Sequence, residues 1–245
     1  MRRLVSCASA LAALICLAGC AAPAESKAHA DASSAASGRP AARAAAPVVM
    51  ILGDSYTAGL PDVAPEQTFA ADAARRLRWQ AVIAGHYGSG FVTPGRSHRT
   101  FAALFAEQLA WRPAPDMIVV SGGHNDWPHS YEQVRNAARQ LLTEIKEHWP
   151  AARLVLMGPL WGGDPPAKAL QVRDALEEVA DALDVPFIDP LAEQWITGDI
   201  HSGVGNAPEY IRRDGTHPNA AGNRYFADRF IADLRELGLA RPAPS

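Results

Sequence analysis

From residue 48 onward, short apolar runs alternate with amphipathic stretches along the chain. Several of the runs are rich in Val, Ile and Leu, and together they cover 48–52, 80–84, 116–121, 153–158 and 185–188. Strands separated by stretches of helical pattern are typical of repeated strand and helix units, in which consecutive strands run parallel. The pattern therefore predicts an α/β fold built on a parallel sheet.

Helices are predicted where apolar residues recur at a spacing of three or four. Ser130 and Gln133 form a capping box before one such segment, and Asn219 is a candidate N-cap for the last, which Gly238 can end. We expect these helices to cover both faces of the sheet. The four segments carry Phe101, Leu104, Phe105 and Leu109; Val134, Ala138, Leu141, Leu142 and Ile145; Leu176, Val179 and Leu183; and Phe226, Phe230, Leu234 and Leu237.

The first residues have the pattern of an export signal. Three residues, Met1-Arg2-Arg3, precede an apolar stretch over 4–17 that is too short to be a comfortable transmembrane span. Leu17-Ala18-Gly19-Cys20 resembles the lipobox of bacterial lipoproteins, in which the signal is removed before a cysteine that then carries acyl chains. This predicts a signal peptide over 1–19, a lipidated Cys20 and an extracytoplasmic protein anchored in a bacterial cell membrane. An ordinary secretory signal and an uncleaved anchor are the alternatives.

A tether is predicted to follow the signal. Residues 20–46 hold the candidate lipidated cysteine and an Ala-rich stretch without large apolar residues, which cannot bury enough surface to offset its ordering entropy. We assign 47–240 to one folded domain and 241–245 to a tail.

The composition fits one globular core and disfavours some classes of function. Of the 245 residues, 48% are hydrophobic and 20% are charged, and the net charge is -3. Because nucleic-acid binding needs clustered Lys and Arg to replace counterions, we expect no nucleic-acid partner. Cys7, Cys16 and Cys20 are the only cysteines and precede the folded part, and no His-Glu-x-x-His pattern occurs. We therefore expect neither a metal site nor another cofactor.

Candidate chemistry follows the predicted strands. Gly53-Asp54-Ser55 comes directly after the first strand, and Asp214-Gly215-Thr216-His217 lies near the C-terminus. A serine hydroxyl is a poor nucleophile unless an imidazole takes its proton and a carboxylate holds that imidazole. A third motif, Gly123-His124-Asn125-Asp126, offers a side-chain amide for an oxyanion hole. Since parallel strands bind ligands beyond their carboxyl ends, we expect Ser55, Asn125 and His217 to converge.

These three motifs, in this order, resemble those of the SGNH hydrolase superfamily, also called GDSL-like esterases and lipases. The resemblance covers nearly all of 48–238. It implies a flavodoxin-like, three-layer α/β/α sandwich with a five-stranded parallel sheet. It also implies that Ser55 is the nucleophile, that His217 is the base and that Asp214 orients it. Asn125 and a glycine would complete the oxyanion hole with the Ser55 amide.

The oxyanion glycine is less clearly marked than the other residues. The loop after the second strand holds Gly85, Gly88 and Gly90, of which Gly88 matches best and the other two stay as alternatives. An asparagine often present before this glycine is absent. Tyr56 stands where many members of the superfamily have leucine. This difference weakens the assignment as a lipase more than it weakens the assignment of the fold.

Some neighbouring residues have simpler interpretations. Asp126 and His129 repeat the spacing of the Asp214 and His217 pair and form an alternative dyad, although the residues after Asp126 have the pattern of a helix start. For His124 and His86 we favour hydrogen bonding or substrate contact over a second base. Three tryptophans could line the pocket or pack in the core: Trp127, Trp161 and Trp195.

The sequence therefore predicts a serine esterase that cleaves O-acyl esters through an acyl-enzyme. Small-molecule or glycan esters are favoured as substrates over long-chain lipids. An acyltransferase acting on envelope glycans and a non-enzymatic binding lipoprotein of the same fold are the alternatives.

Overall fold

The computed structural model describes residues 45–242, and their centre is a sheet of five parallel strands in the order β2-β1-β3-β4-β5. The strands are β1 (Val48–Gly53), β2 (Gln80–Gly85), β3 (Met117–Ser121), β4 (Arg153–Met157) and β5 (Phe187–Ile188). Every pairing between neighbouring strands is parallel. This is the flavodoxin-like order, so the predicted fold class is confirmed.

Helices connect the strands. They are α1 (Ser55–Ala58), α2 (Phe69–Leu77), α3 (Phe101–Gln108), α4 (Tyr131–His148), α5 (Ala167–Leu183), α6 (Ala207–Tyr210) and α7 (Ala220–Glu236). Short 3₁₀ turns lie at Pro65–Gln67 and His124–Asp126. The predicted caps are present, because Ser130 and Gln133 form the capping box of α4 and Asn219 accepts from the Gly222 amide at the start of α7.

Both faces of the sheet are covered, as β1 shows. Val49 and Ile51 pack in one apolar cluster together with residues of α2 and α7. Met50 and Leu52 point to the opposite face and pack with residues of α3, α4 and α5. Because a strand buried on both faces needs apolar residues at every position, β1 is a continuous apolar run and not an alternating one.

Two elements differ from the expectation. The last strand is predicted over 185–188 but forms only at Phe187–Ile188, because the Val185 amide donates to Ala180 O at the end of α5 and Pro186 has no amide hydrogen. Helix α2 has no counterpart among the apolar segments named above. Apart from Phe69 its buried residues are alanines, so the segment lacks the recurring large apolar residues that mark the other helices.

The predicted signal peptide, Cys20 and most of the tether lie outside the described residues, as do residues 243–245 of the tail. Within 45–242 no helix combines the length and the apolar character that a bilayer crossing requires.

Candidate active site

Ser55 lies at the junction of β1 and α1. Asp54 caps α1, because its Oδ1 accepts a hydrogen bond of 3.0 Å from the Tyr56 amide. Ser55 is then the first helical residue and is 7% exposed. A Cβ at Gly53 would lie 2.7 Å from Ser121 O and closer still to Thr57. A glycine at this position therefore lets the turn pass close to β3.

His217 reaches Ser55 from the loop before α7. Its Nε2 lies 2.9 Å from Ser55 Oγ, and its Nδ1 lies 2.9 Å from Asp214 Oδ2. Because an ionised carboxylate only accepts, Nδ1 carries the proton and Nε2 presents a lone pair to the hydroxyl. The structure thus places the three predicted residues in a chain of hydrogen bonds from carboxylate to imidazole to serine.

Asp214 is held by its own loop. Its Oδ1 accepts 2.9 Å hydrogen bonds from the amides of Thr216 and His217. Partial burial raises the pKa of Asp214, but the bonds from those amides and from the His217 ring outweigh it and hold the pKa below its usual value. Asp214 therefore stays ionised at neutral pH, the state that orients the imidazole.

Tyr56 ties the two halves of the site together. Its hydroxyl donates a 2.7 Å hydrogen bond to Thr216 O, and its ring lies 5.5 Å from the His217 ring, centroid to centroid. The side chain is buried, and burial raises the pKa of the phenol well above its usual value, so the hydroxyl remains a donor. Tyr56 thereby fixes the histidine loop against α1.

Asn125 lies in the 3₁₀ turn after β3, on the same side of the sheet as Ser55. Its Nδ2 donates a 2.9 Å hydrogen bond to Ser89 O and lies 3.5 Å from Asp54 Oδ2. The second contact is long, so one N–H of the amide is weakly engaged and can turn to a developing oxyanion.

The loop after β2 holds the three candidate oxyanion glycines. The Gly85 amide donates to Gln108 Oε1 at 2.9 Å, and the Gly90 amide donates to Thr93 O at 2.8 Å. The amides of Gly88 and Ser55 have no hydrogen-bond partner within residues 45–242. Of the three glycines, only Gly88 therefore keeps a free amide, which agrees with the prediction without testing its role.

Asp126 organises that loop from inside the molecule. The carboxylate is fully buried and accepts from the amides of Phe91, Val92 and Thr93 at 2.8 to 2.9 Å. Burial raises the pKa of Asp126, although these hydrogen bonds oppose the rise. The His129 ring bonds to Thr93 Oγ1 at 3.0 Å and not to the Asp126 carboxylate, and only the His129 backbone amide contacts that residue, by donating to Asp126 O. The alternative Asp126 and His129 dyad is therefore wrong.

Asp54 is a second buried carboxyl next to the nucleophile. Burial raises its pKa to about 7, the Tyr56 amide bond lowers it, and the negative charge of Asp126 raises it further. No residue type or spacing in the sequence signals this burial. The Tyr56 bond to Thr216 is equally unmarked, since the two residues are 160 positions apart.

The other histidines and tryptophans near the site have distinct environments. His124 Nδ1 lies 3.0 Å from Leu160 O, and the ring lies 4.3 Å from the Trp161 ring, centroid to centroid. His86 bonds to Tyr87 O. Trp127 is 45% exposed. Trp195 is 1% exposed and belongs to the core, so the core alternative holds for that tryptophan.

Two loops form the rim beside His217. A Cβ at Gly162 would overlap Gly215 O, so the loop after β4 packs directly on the Asp214–His217 turn. Asp164 Oδ1 accepts from the Gly198 amide at 2.8 Å and joins this loop to the one after β5. Within residues 45–242, no three His, Cys, Asp or Glu side chains are grouped as a metal site.

The comparisons with known proteins identify the family of the chain. The family described as GDSL-like Lipase/Acylhydrolase matches residues 51–225. The chain is 31% identical over 201 residues to the GDSL lipase Rv0518 of Mycobacterium tuberculosis, and this match covers 78% of the chain and 82% of the relative.

Solved structures share the fold. The lipase/acylhydrolase from Enterococcus faecalis superimposes with a TM-score of 0.62 at 18% identity, over 81% of this chain and 100% of that one. A family two carbohydrate esterase from Clostridium thermocellum, in complex with cellohexaose, gives a TM-score of 0.60 at 19% identity, over 79% of this chain and 65% of that one. At these identities the likeness establishes the architecture alone.

Proposed function

Since the chain belongs to the GDSL-like lipase/acylhydrolase family and is an SGNH hydrolase, we propose that it is a serine esterase that cleaves small O-acyl esters through an acyl-enzyme on Ser55. One observation carries the proposal: the continuous hydrogen-bonded chain from Asp214 through His217 to Ser55 Oγ.

Acylation follows from that geometry. Ser55 Oγ attacks the ester carbonyl carbon while its proton passes to His217 Nε2, and the carbonyl oxygen becomes an oxyanion. The free amides of Ser55 and Gly88 and the side-chain amide of Asn125 are the donors for that charge. When the bond from the carbonyl carbon to the alcohol oxygen breaks, Nε2 returns the proton to the departing alkoxide.

Hydrolysis of the acyl-enzyme needs water, and the solvent exposure of His217 and Asp214 supports this step. The side chains of His217 and Asp214 are 21% and 42% exposed. Water can therefore reach Nε2, lose a proton to it and attack the acyl carbon, after which Ser55 regains its proton. This access favours hydrolysis over transfer of the acyl group to another alcohol. The ratio of free acid to transferred acyl product, measured with added sugar acceptors, checks the preference.

The surroundings of Ser55 favour a carbohydrate alcohol. Trp127 presents an exposed ring, and the Trp161 ring is partly exposed. Flat aromatic faces of this kind pack against sugar rings. The carbohydrate esterase that shares the fold also supports a carbohydrate alcohol.

Turnover of p-nitrophenyl acetate tests the proposal. Ser55→Ala and His217→Ala should each lower kcat by at least about a thousandfold, because each removes a group that moves in the reaction. Thr143→Ala removes a half-buried hydroxyl of α4 that has no hydrogen-bond partner within residues 45–242, and it should leave kcat unchanged. Wild-type activity in the Ser55 variant would exclude the mechanism.

We also propose that the protein is exported and anchored through lipidated Cys20, on the strength of the lipobox-like segment in the sequence. Mass spectrometry of the N-terminal peptide from bacterial membranes should find acyl chains on Cys20, and Cys20→Ala should release the protein from the membrane fraction. An unmodified Cys20 in membrane-bound protein would contradict the anchor.

A further inference from the structure

His124 is fixed beside the Ser55 and His217 pair, yet ester hydrolysis as proposed gives it no role. Its Nδ1 lies 3.0 Å from Leu160 O. The ring lies 4.3 Å from the Trp161 ring and 5.4 Å from the Tyr56 ring, centroid to centroid, and it meets the Tyr56 ring in an edge-to-face arrangement. The next residue in the chain is Asn125, the side-chain donor of the oxyanion hole. The imidazole is therefore held on three sides next to the place where an ester would bind.

The hydrogen bond to Leu160 determines the tautomer of His124. A carbonyl oxygen only accepts, so Nδ1 carries the proton and Nε2 presents a lone pair. Burial lowers the pKa of His124 to about 4; the Leu160 bond opposes this, and the nearby His217 adds to it. The ring is thus neutral at physiological pH, and Nε2 acts only as an acceptor.

That acceptor is unused in the protein. Within residues 45–242, His124 Nε2 has no hydrogen-bond partner and is not fully buried, so solvent reaches it. An acceptor of this kind discriminates between ligands, because it gains a bond only from an O–H or N–H group. The ester group itself has no such donor.

We propose that His124 Nε2 is a hydroxyl-binding subsite that selects esters whose alcohol part carries a second, free hydroxyl, as partly acylated sugars and polyols do. The inference rests on the proposed esterase function and names the alcohol that this function takes. Trp161, whose ring lies against the imidazole at a tilt of 39°, holds the acceptor in place and offers an apolar face to the carbon skeleton of the same alcohol.

A matched pair of esters tests the subsite. 2-Hydroxyethyl acetate carries the donor, and 2-methoxyethyl acetate is the same ester with that hydroxyl capped by a methyl group. The wild-type full chain should prefer the first by roughly 2- to 10-fold in kcat/KM, the value of one hydrogen bond. His124→Phe keeps an aromatic ring against Trp161 but has no acceptor, and its ratio should fall to about 1. His124→Gln restores an acceptor oxygen and should keep a ratio above about 2.

The outcomes separate this inference from the esterase proposal. The wild type and His124→Phe should hydrolyse 2-methoxyethyl acetate at rates within about threefold of each other. That result shows that Ser55 and His217 work without the subsite. A wild-type ratio near 1, or the same ratio in wild type and His124→Phe, overturns the subsite. Equal loss of both esters in the Phe and Gln variants also overturns it, since that is the result of a purely structural role. Failure of the wild type on both esters contradicts the esterase proposal instead.

Discussion

Replacing Asp54 with Asn tests whether the carboxyl next to the nucleophile is buried at a cost to stability. Asp54 is 2% exposed, and burial raises its pKa from 3.8 to about 7. The folded protein therefore binds this proton more tightly than the unfolded chain. The contribution of Asp54 to stability is most favourable below pH 3.8 and is lost as the pH rises toward the folded pKa of about 7.

The size of the effect follows from the two pKa values. A pKa difference of about 3 corresponds to roughly 4 kcal/mol at full ionisation, because a tenfold change in proton affinity is worth about 1.4 kcal/mol. Asn cannot ionise, yet its side-chain oxygen can still accept the 3.0 Å bond from the Tyr56 amide. Between about pH 4 and about pH 8, Asp54→Asn should thus gain roughly 3 to 4 kcal/mol in unfolding free energy relative to wild type.

Urea unfolding monitored by tryptophan fluorescence, at constant ionic strength across that range, measures the difference. Other titrating groups are present in both proteins and cancel in the comparison. Asp62→Asn is the control, because Arg212 lowers the pKa of the exposed Asp62, so that its contribution to stability changes mainly below pH 3.8 and the difference from wild type should stay nearly constant from about pH 4 to about pH 8. A difference between Asp54→Asn and wild type that stays constant from about pH 4 to about pH 8 would refute the reasoning.

Three further substitutions probe the site. Tyr56→Phe leaves Thr216 O without its donor, so it should lower the free energy of unfolding in urea by about 1 to 3 kcal/mol and should also lower kcat. Tyr225→Phe removes a hydroxyl that has no partner within 45–242 and should lower the free energy of unfolding by less than about 0.5 kcal/mol. Equal losses in the two variants would contradict the role of the Tyr56 bond. Asn125→Ala should lower kcat about 10²- to 10³-fold on p-nitrophenyl acetate, and a loss of less than about threefold would remove Asn125 from the oxyanion hole. Gly162→Ala should destabilise the fold by about 1 to 3 kcal/mol and lower kcat, because its Cβ would overlap Gly215 O; unchanged unfolding and kcat would show that the loops are not in close contact.

Much of the fold could be predicted from the sequence because the signals are local. The strand β1 is a continuous apolar run, and the caps of α4 and α7 each involve residues three positions apart. The Asp214 and His217 pair is local in the same way, since a single turn brings the carboxylate to the imidazole. Patterns of this kind depend on short-range geometry, which the residue spacing determines.

The remaining features depend on contacts between distant parts of the chain. Tyr56 contacts Thr216 only after β1 and the loop before α7 come together, so no local sequence pattern indicates this hydrogen bond. The burial of Asp54 and the free amide of Gly88 also depend on tertiary packing, which the residue spacing does not reveal. For β5, the end of α5 competes with the sheet for the Val185 amide, which shortens the strand.

The central claim is that Ser55 becomes acylated with the help of His217. Labelling with a fluorophosphonate followed by peptide mapping tests it most directly. The account predicts one adduct on the Ser55 hydroxyl in the wild type, no adduct in Ser55→Ala and labelling slowed by at least about a hundredfold in His217→Ala. An adduct on another residue, or a rate in His217→Ala equal to that of the wild type, would contradict the claim.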